Sequence, residues 1–466
     1  MSSVFASARV LSLSLALHAL SFAVAAPARA DSADGEIFAS SFESGEVVPL
    51  AGPCDGFYRT GFALLEGMLN PQVAVPPKPT KGSVFADAGF GTCMVRATHH
   101  DVEPPQTFAR NDYSRREPFN ANDTKLLVYS SGGWWHLYDA NTLAYDKLLD
   151  GPAGDSEVQW DPTDPNVLYY MPTNGGMKIF RLDVGTNAST TVADFTGKLP
   201  WSNAARLWTK SEGSPSRDNR YWGLMAETSD FGILGYVVYD LVQDRVVGTR
   251  STSIMPDHVS MSPSGRWFVS SGDSDGTWAW SPDFSQKKKL HHKSEHSDIA
   301  VGADGHDEYV SIDFQSAQGD VFFVDVDACP AVPADADAAS TPECPRTVLF
   351  PTYLNGASTS VHISGKAYAK PGWVLVTTYG SQADRNGVWP WFTNKELAVE
   401  LAAVPRIYGL GFHHGNDDGY WTEMQGAVNR SFTRMMFNSN WSTNSDTDVD
   451  DYMIGLAPNL LPAAGQ

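Results

Sequence analysis

The chain has little cysteine, a deficit of basic charge and no long stretch with helical period. Only four cysteines occur, Cys54, Cys93, Cys329 and Cys344, and no two are spaced C-x-x-C, so a cysteine-held metal has weak support. In an oxidising compartment four cysteines read as two disulfides, with three pairings open. Cys329–Cys344 is the preferred one, because it closes "PAVPADADAASTPE", a segment without apolar pattern that needs a staple. Cys54–Cys93 then follows by elimination.

Basic residues number 33 against 54 acidic ones, a net charge of −21. That excludes a nucleic-acid binder, which needs a basic footprint. A polyanionic substrate must then meet a local basic patch. Apolar runs are also scarce. The run Val10–Ala26 follows Arg9 and precedes Ala28-Arg29-Ala30. This is the pattern of a secretory signal over residues 1–30 with an A-x-A cleavage site. Loss of its two arginines takes the charge to −23. The run is too short and too early for a retained span, and no second one exists. Stable membrane insertion is not expected. A secreted or periplasmic location is.

What the chain does have is aromatic, β-branched sequence in short units. Residues 31–82 are acidic and then Pro-rich ("NPQVAVPPKPTK", 71–82) and are expected to be disordered. From about residue 110 a strand–turn–strand–turn–strand unit recurs seven times. Anchors on its second strand are Leu127, Leu168, Leu224, Phe268, Tyr309, Leu375 and Met436, in steps of 41 to 66 residues. The shorter steps match a four-stranded propeller blade, and the longer ones carry insertions. The predicted fold is all-β, a seven-bladed β-propeller over residues 83–460. The last unit ends after three strands, so its fourth is expected from "CMVRAT" (93–98), which would remove a free sheet edge.

In a propeller the residues just before each innermost strand crowd into one funnel mouth. Those are Arg116 and Glu117, Glu157, Ser216 or Arg217, Asp257 and His258, His296 and Asp298, His362, and Glu423 with Gln425. His296, His362 and Glu423 each precede their anchor by 13 residues. Neutral imidazoles with a carboxylate or amide suit Mn, Zn or Fe. The acidic strings "DADA" and "DTDVDD" are candidates for Ca but lack the Gly and Glu of an EF-hand loop, and they read better as solvated loops. The expected cofactor is a divalent metal, Mn, Zn or Ca, on His296, His362 and Gln425. Acid–base catalysis without metal is the other reading, with His258 as base and Tyr113 as acid. Arg116, Arg110 or Arg217 would then neutralise a substrate carboxylate. Tyr420 and Trp421 are expected to bind substrate, with Trp201, Trp208 and Trp391 as further rim aromatics. His413-His414 are placed at the same funnel, His291-His292 on an exterior basic hairpin, and His99-His100 and His136 in structural positions.

"SPSGRWFVSS" resembles the Tol-type, WD40-like propeller blade. With histidines on successive inner strands, the chain is similar to the propeller polysaccharide lyases of the oligogalacturonate lyase type. That resemblance implies a metal held by His and Gln side chains in the funnel, bound to the uronate carboxylate, and a basic side chain that removes the proton α to it. His296, His362 and Gln425 match the ligands, and His258 a ligand or base. Related blades carry histidine in the segment corresponding to "EMQGAVNRSF", where this chain has none. The expected function is a secreted polysaccharide-degrading enzyme, a lyase on a uronate-containing glycan. The alternative is a non-catalytic extracytoplasmic propeller that binds glycan or protein. A hydrolase using Asp257, Glu157 and Glu423 is a third possibility.

Overall fold

The computed structural model describes residues 52–106, 108–354, 359–380, 391–416, 419–443 and 445–466. Residues 1–51, which include the expected signal segment, lie outside them. Regular structure among the described residues is strand only. No helix is long and apolar enough to cross a membrane.

The strands form antiparallel four-stranded blades in chain order, each starting from an inner strand. Blade 1 runs Ala109–Arg110, Lys125–Ser130, Trp134–Asp139 and Tyr145–Ala153. Blade 2 has Gln159–Trp160 innermost, blade 3 Arg206–Trp208, and blade 4 His258–Met261. Blade 5 starts at Ser297–Val301, blade 6 at Ser360–Ser364, and blade 7 at Ala427–Val428. Blades 7 and 1 touch through one parallel bridge, Ala109 to Asp450. All seven sequence anchors fall in second strands. These strands read as continuous apolar runs because neighbouring blades cover both of their faces. Val310 and Ile312 of blade 5, for instance, pack with Val376 and Leu397 of blade 6.

The ring closes as the sequence suggests. Cys93–Arg96 pairs antiparallel with Asp450–Gly455 as the fourth strand of blade 7, and Val84–Ala86 adds a fifth. Arg96 Nη2 reaches Asp450 Oδ2 at 2.6 Å, and the His100 amide donates to Asp450 Oδ1 at 2.9 Å. Both expected disulfides are present, Cys54–Cys93 and Cys329–Cys344.

Two expectations need correction. Residues 52–82 are not a disordered leader. The Cys54–Cys93 bond holds their start, Gly67 donates to the Ile407 carbonyl at 2.9 Å, and Lys78 pairs with Asp450 at 2.9 Å. Their lack of periodicity reflects a segment that wraps an edge instead of building a blade. The Lys287–Lys289 hairpin is not a bare exterior one. The cysteine-stapled loop lays Val332–Pro333 along Gln286–His291, and Lys287 Nζ donates to the Ala336 carbonyl at 2.6 Å. His291 is buried there against Phe322.

Candidate functional site

Inner strands all run from one end of the channel to the other, so their first residues share the upper mouth. His258 opens the inner strand of blade 4, His296 immediately precedes that of blade 5, and His362 is the third residue of that of blade 6. The last two meet: the His296 and His362 rings stack at 4.3 Å between centroids with 19° between planes. Tyr379, from the second strand of blade 6, stacks on His362 at 5.0 Å, and Tyr113 meets His362 edge-on at 5.5 Å.

The hydrogen bonds fix the tautomers. His296 Nδ1 lies 2.7 Å from the Val361 carbonyl oxygen, which only accepts, so Nδ1 carries the proton and Nε2 is the basic atom. Gln425 Nε2 donates to His362 Nε2 at 2.8 Å, which puts the His362 proton on Nδ1 and leaves Gln425 Oε1 without a partner. Gly426 makes this approach possible, since a Cβ there would overlap Thr377 Oγ1 and come within 2.6 Å of Glu396 Oε2. Burial, then the Arg115 charge, lowers the pKa of His296. Burial, then His296 and Arg115, holds His362 well below the usual histidine range. Both imidazoles are neutral near pH 7. Burial, then Glu212, pushes the Tyr113 phenol well above its ordinary value, so it keeps its proton.

Opposite the stack is a charged side. Arg115 enters from the irregular 111–117 stretch of blade 1. It donates Nε to the Ser297 carbonyl and Nη1 to Glu212 Oε2 at 2.6 Å. Glu212 is brought there by a break in the inner strand of blade 3, where Lys210 and Ser211 take positive φ of 64° and 71°. Gly213 follows, and any Cβ on it would overlap the Val259 carbonyl. His258 Nδ1 then sits 3.8 Å from Glu212 Oε2 and 3.6 Å from Asp257 Oδ2.

Above these groups opens a cavity of about 270 Å³, lined by Arg110, Asp112, Tyr113, Asp155, Tyr420 and Trp421 among others. Trp421 stacks over Tyr129 at 6.2 Å, with the Arg110 guanidinium 5.5 Å from its ring. The Arg110 donors go to the carbonyls of Asn111, Asp112 and Trp421. Arg110 lies buried in the cavity wall; among the described residues no carboxylate is within ion-pair distance of it, and the Asp451 and Glu423 charges act on it from further away.

The structure thus brings together Arg110, Tyr113, His258, His296, His362, Tyr420, Trp421 and Gln425 of the sequence-derived set. Arg116 borders the cavity but is a latch, ion-paired to Asp112 and bonded to the Ser211 carbonyl. Arg217 is elsewhere. Its amide bonds the Pro263 carbonyl at 3.0 Å, beyond the far end of the inner strand of blade 4, so it lies at the lower mouth. The irregular 209–213 stretch shifts the count in blade 3, which is why Arg217 stood in for Glu212. Glu157 is consumed by the Thr209 and Ser211 amides and the Thr209 hydroxyl, which removes it as a catalytic carboxylate. His413 is locked, Nε2 to the Thr378 carbonyl at 2.6 Å and Nδ1 to the Gly415 amide at 3.2 Å. His414 packs on Trp441, away from the stack. Trp208 is buried on Glu227, Trp201 bonds Ser251 on an outer strand, and Trp391 packs on Phe350, so Trp421 alone of the four lines the mouth cavity.

Of the expected metal set, Gln425 and His362 meet at 2.8 Å and the His296 ring stacks on His362 in a nearly parallel plane. Arg115, Glu212 and Tyr379 were missed by sequence reasoning. Arg115 stood in the loop "ARNDYSRREPFN" (109–120) beside Arg110 and Arg116, with no spacing to single it out.

The sequence matches no protein-family model and none of the curated proteins. Solved structures do share the architecture. An oligogalacturonate lyase in complex with manganese aligns at TM-score 0.53 and 14% identity, over 80% of this chain and 96% of that one. The oligogalacturonate lyase of Vibrio parahaemolyticus aligns at 0.51 and 11%, again over 80% and 96%. The β-propeller domain of Myceliophteria thermophila Cps50 (Swd1) aligns at 0.44 and 12%, over 75% and 99%. At such identities the likeness to the two lyases shows the fold: this chain is a β-propeller with the architecture of the oligogalacturonate lyases.

Proposed function

We propose that the protein is a secreted lyase that cleaves a uronate-containing glycan by β-elimination in the upper funnel. The observation that carries this reading is the neutral His296–His362 stack beneath a cavity with an arginine charge at its wall. β-Elimination needs three groups. The uronate carboxylate must be neutralised so that the adjacent C5 proton becomes acidic. A base must take that proton. An acid must protonate the leaving O4. Arg110 supplies the positive field for the carboxylate. His296 Nε2 takes the proton, and its imidazolium charge is delocalised over a ring already fixed by the Val361 carbonyl. The C5–H electron pair forms the C4=C5 double bond. The C4–O4 bond breaks, and Tyr113, held protonated by burial, gives its proton to O4. Tyr420 and Trp421 offer aromatic faces for the apolar faces of sugar rings. The N-terminal run expected to be a secretory signal and the two disulfides support an extracytoplasmic location, where polyuronides are met.

The test is an ultraviolet screen of the mature protein against a panel of polyuronides, with and without chelator. The product double bond is conjugated to a carboxylate and absorbs. A rising signal on one glycan supports the lyase. A flat trace across the panel, with the protein folded, overturns it and leaves a non-catalytic propeller that binds glycan or protein.

A further inference from the structure

The charged side of the funnel carries a feature that the elimination does not use. His258 Nδ1 is buried, the residue being 3% exposed, and it has no hydrogen-bond partner. It points between two carboxylates, Asp257 Oδ2 at 3.6 Å and Glu212 Oε2 at 3.8 Å. Neither oxygen is within hydrogen-bond distance of the ring nitrogen.

A buried nitrogen left without a hydrogen-bond partner between two carboxyl groups calls for an explanation beyond folding. The spacing identifies what fits. Donors bound to one ion at about 2.1–2.2 Å, with angles between roughly 90° and 120°, lie about 3.0–3.8 Å from each other. The three donor atoms all lie within 4.8 Å of one another. The positive groups nearby do not fill the gap. Arg115 Nη1 donates to Glu212 Oε2 at 2.6 Å, the same oxygen that faces His258, and a carboxylate oxygen has a second lone pair for an ion. Lys210 Nζ is held away by the Pro256 carbonyl at 2.9 Å. Ser294 Oγ donates to Asp257 Oδ2 at 3.2 Å from the outer side. Two carboxylates against one guanidinium leave a net negative charge of one at the cluster.

We infer that Glu212, Asp257 and His258 form a divalent-cation site, distinct from the His296–His362 stack. The donor set is two oxygens and one imidazole nitrogen. That favours Mn²⁺, Zn²⁺ or Fe²⁺ over Ca²⁺ and Mg²⁺, which prefer oxygen alone. The ion joins blade 3 to blade 4 across the interrupted strand at Glu212, and it satisfies the buried nitrogen. The site does not depend on the lyase reading, and neither does its test.

The experiment is a Mn²⁺ titration of the chelator-stripped full chain, followed by the electron paramagnetic resonance signal of free Mn²⁺. No substrate is present. The expected result is one ion bound per chain. Glu212→Gln and His258→Ala each weaken binding at least tenfold, while His362→Ala leaves it unchanged. Asp257 is half-exposed, so Asp257→Asn keeps the fold and serves if the buried variants do not fold; it too weakens binding at least tenfold. No binding by the wild type at millimolar Mn²⁺ overturns the site. So does binding that survives Asp257→Asn, or that is lost in His362→Ala and kept in Glu212→Gln.

Discussion

The two ends of the central channel are built from the same inner strands and treat polar groups in opposite ways. At the lower end charges are matched. Glu117 accepts from Arg430 Nε and Nη2, both at 2.8 Å. Lys366 Nζ pairs with Asp298 Oδ1 at 2.9 Å, and Asp298 also accepts from the Gly365 and Ile299 amides. At the upper end the ion pairs Arg115–Glu212 and Arg116–Asp112 stand beside groups that are not matched: among the described residues His258 Nδ1 and Gln425 Oε1 are buried without hydrogen bonds, Arg110 has only carbonyl partners, and two imidazoles are stacked face to face. Buried polar groups are normally satisfied, and those that are not call for an explanation beyond folding. One end of the channel is closed by matched charges, and the other is the end at which the proposed function places a ligand.

That contrast can be broken from either side. The largest effect is expected at the stack. On the glycan that the absorbance screen identifies, His296→Ala should slow turnover about 10³-fold, the scale of a lost general base, or ~4 kcal/mol of barrier. Its melting temperature should fall by only a few degrees, because the one partner stranded is the Val361 carbonyl. Steady-state rates and a thermal melt check both halves. At the lower end the signs reverse. Lys366→Met leaves the Asp298 carboxylate buried without its cation, which costs about 3–5 kcal/mol in urea denaturation. Catalysis by the folded fraction should persist. Adding Asp298→Asn should recover part of the loss.

A smaller effect is expected at the cavity wall. Trp421→Ala should raise KM roughly tenfold with kcat little changed, as for a lost aromatic face worth ~1–1.5 kcal/mol. Arg217→Ala, at the other mouth, should change neither. The smallest effect concerns ring closure. Burial opposes charge on His100, but the Asp450 hydrogen bond and the Asp450 and Asp101 charges outweigh it and raise its pKa, with Lys78 acting against them. A raised histidine pKa gives stability that is fully present below about 6.5 and is lost as pH rises through the folded value. Wild type should therefore lose ~0.5 kcal/mol more than His100→Asn between about pH 6 and pH 9. Parallel melts at the two pH values would show it.

The fold was legible because blade strands carry their own pattern. Seven apolar anchors between polar turns survive insertions, and "CMVRAT" stood out as a strand without a local partner. The stack was legible for the same reason: His296 and His362 keep a fixed distance from regular strands. The charged side was not. Arg115 and Glu212 come from stretches where the inner strand of blade 1 or blade 3 leaves the sheet, and Lys210 and Ser211 turn through left-handed backbone. Counting from an anchor fails across such a break. It put Arg217 at the wrong mouth, and it gave Glu157 a catalytic role although the Thr209 and Ser211 amides already hold it. Tyr379 was hidden differently, as one more aromatic residue at the end of a buried strand.

The most direct measurement is a crystal structure of His296→Ala soaked with a short oligosaccharide of a uronate. It should show the sugar in the upper mouth, its carboxylate toward Arg110 and its C5 over the space vacated by His296. A sugar bound at the lower mouth, or along the outer blade edges with the upper cavity empty, would contradict the division of labour between the two ends.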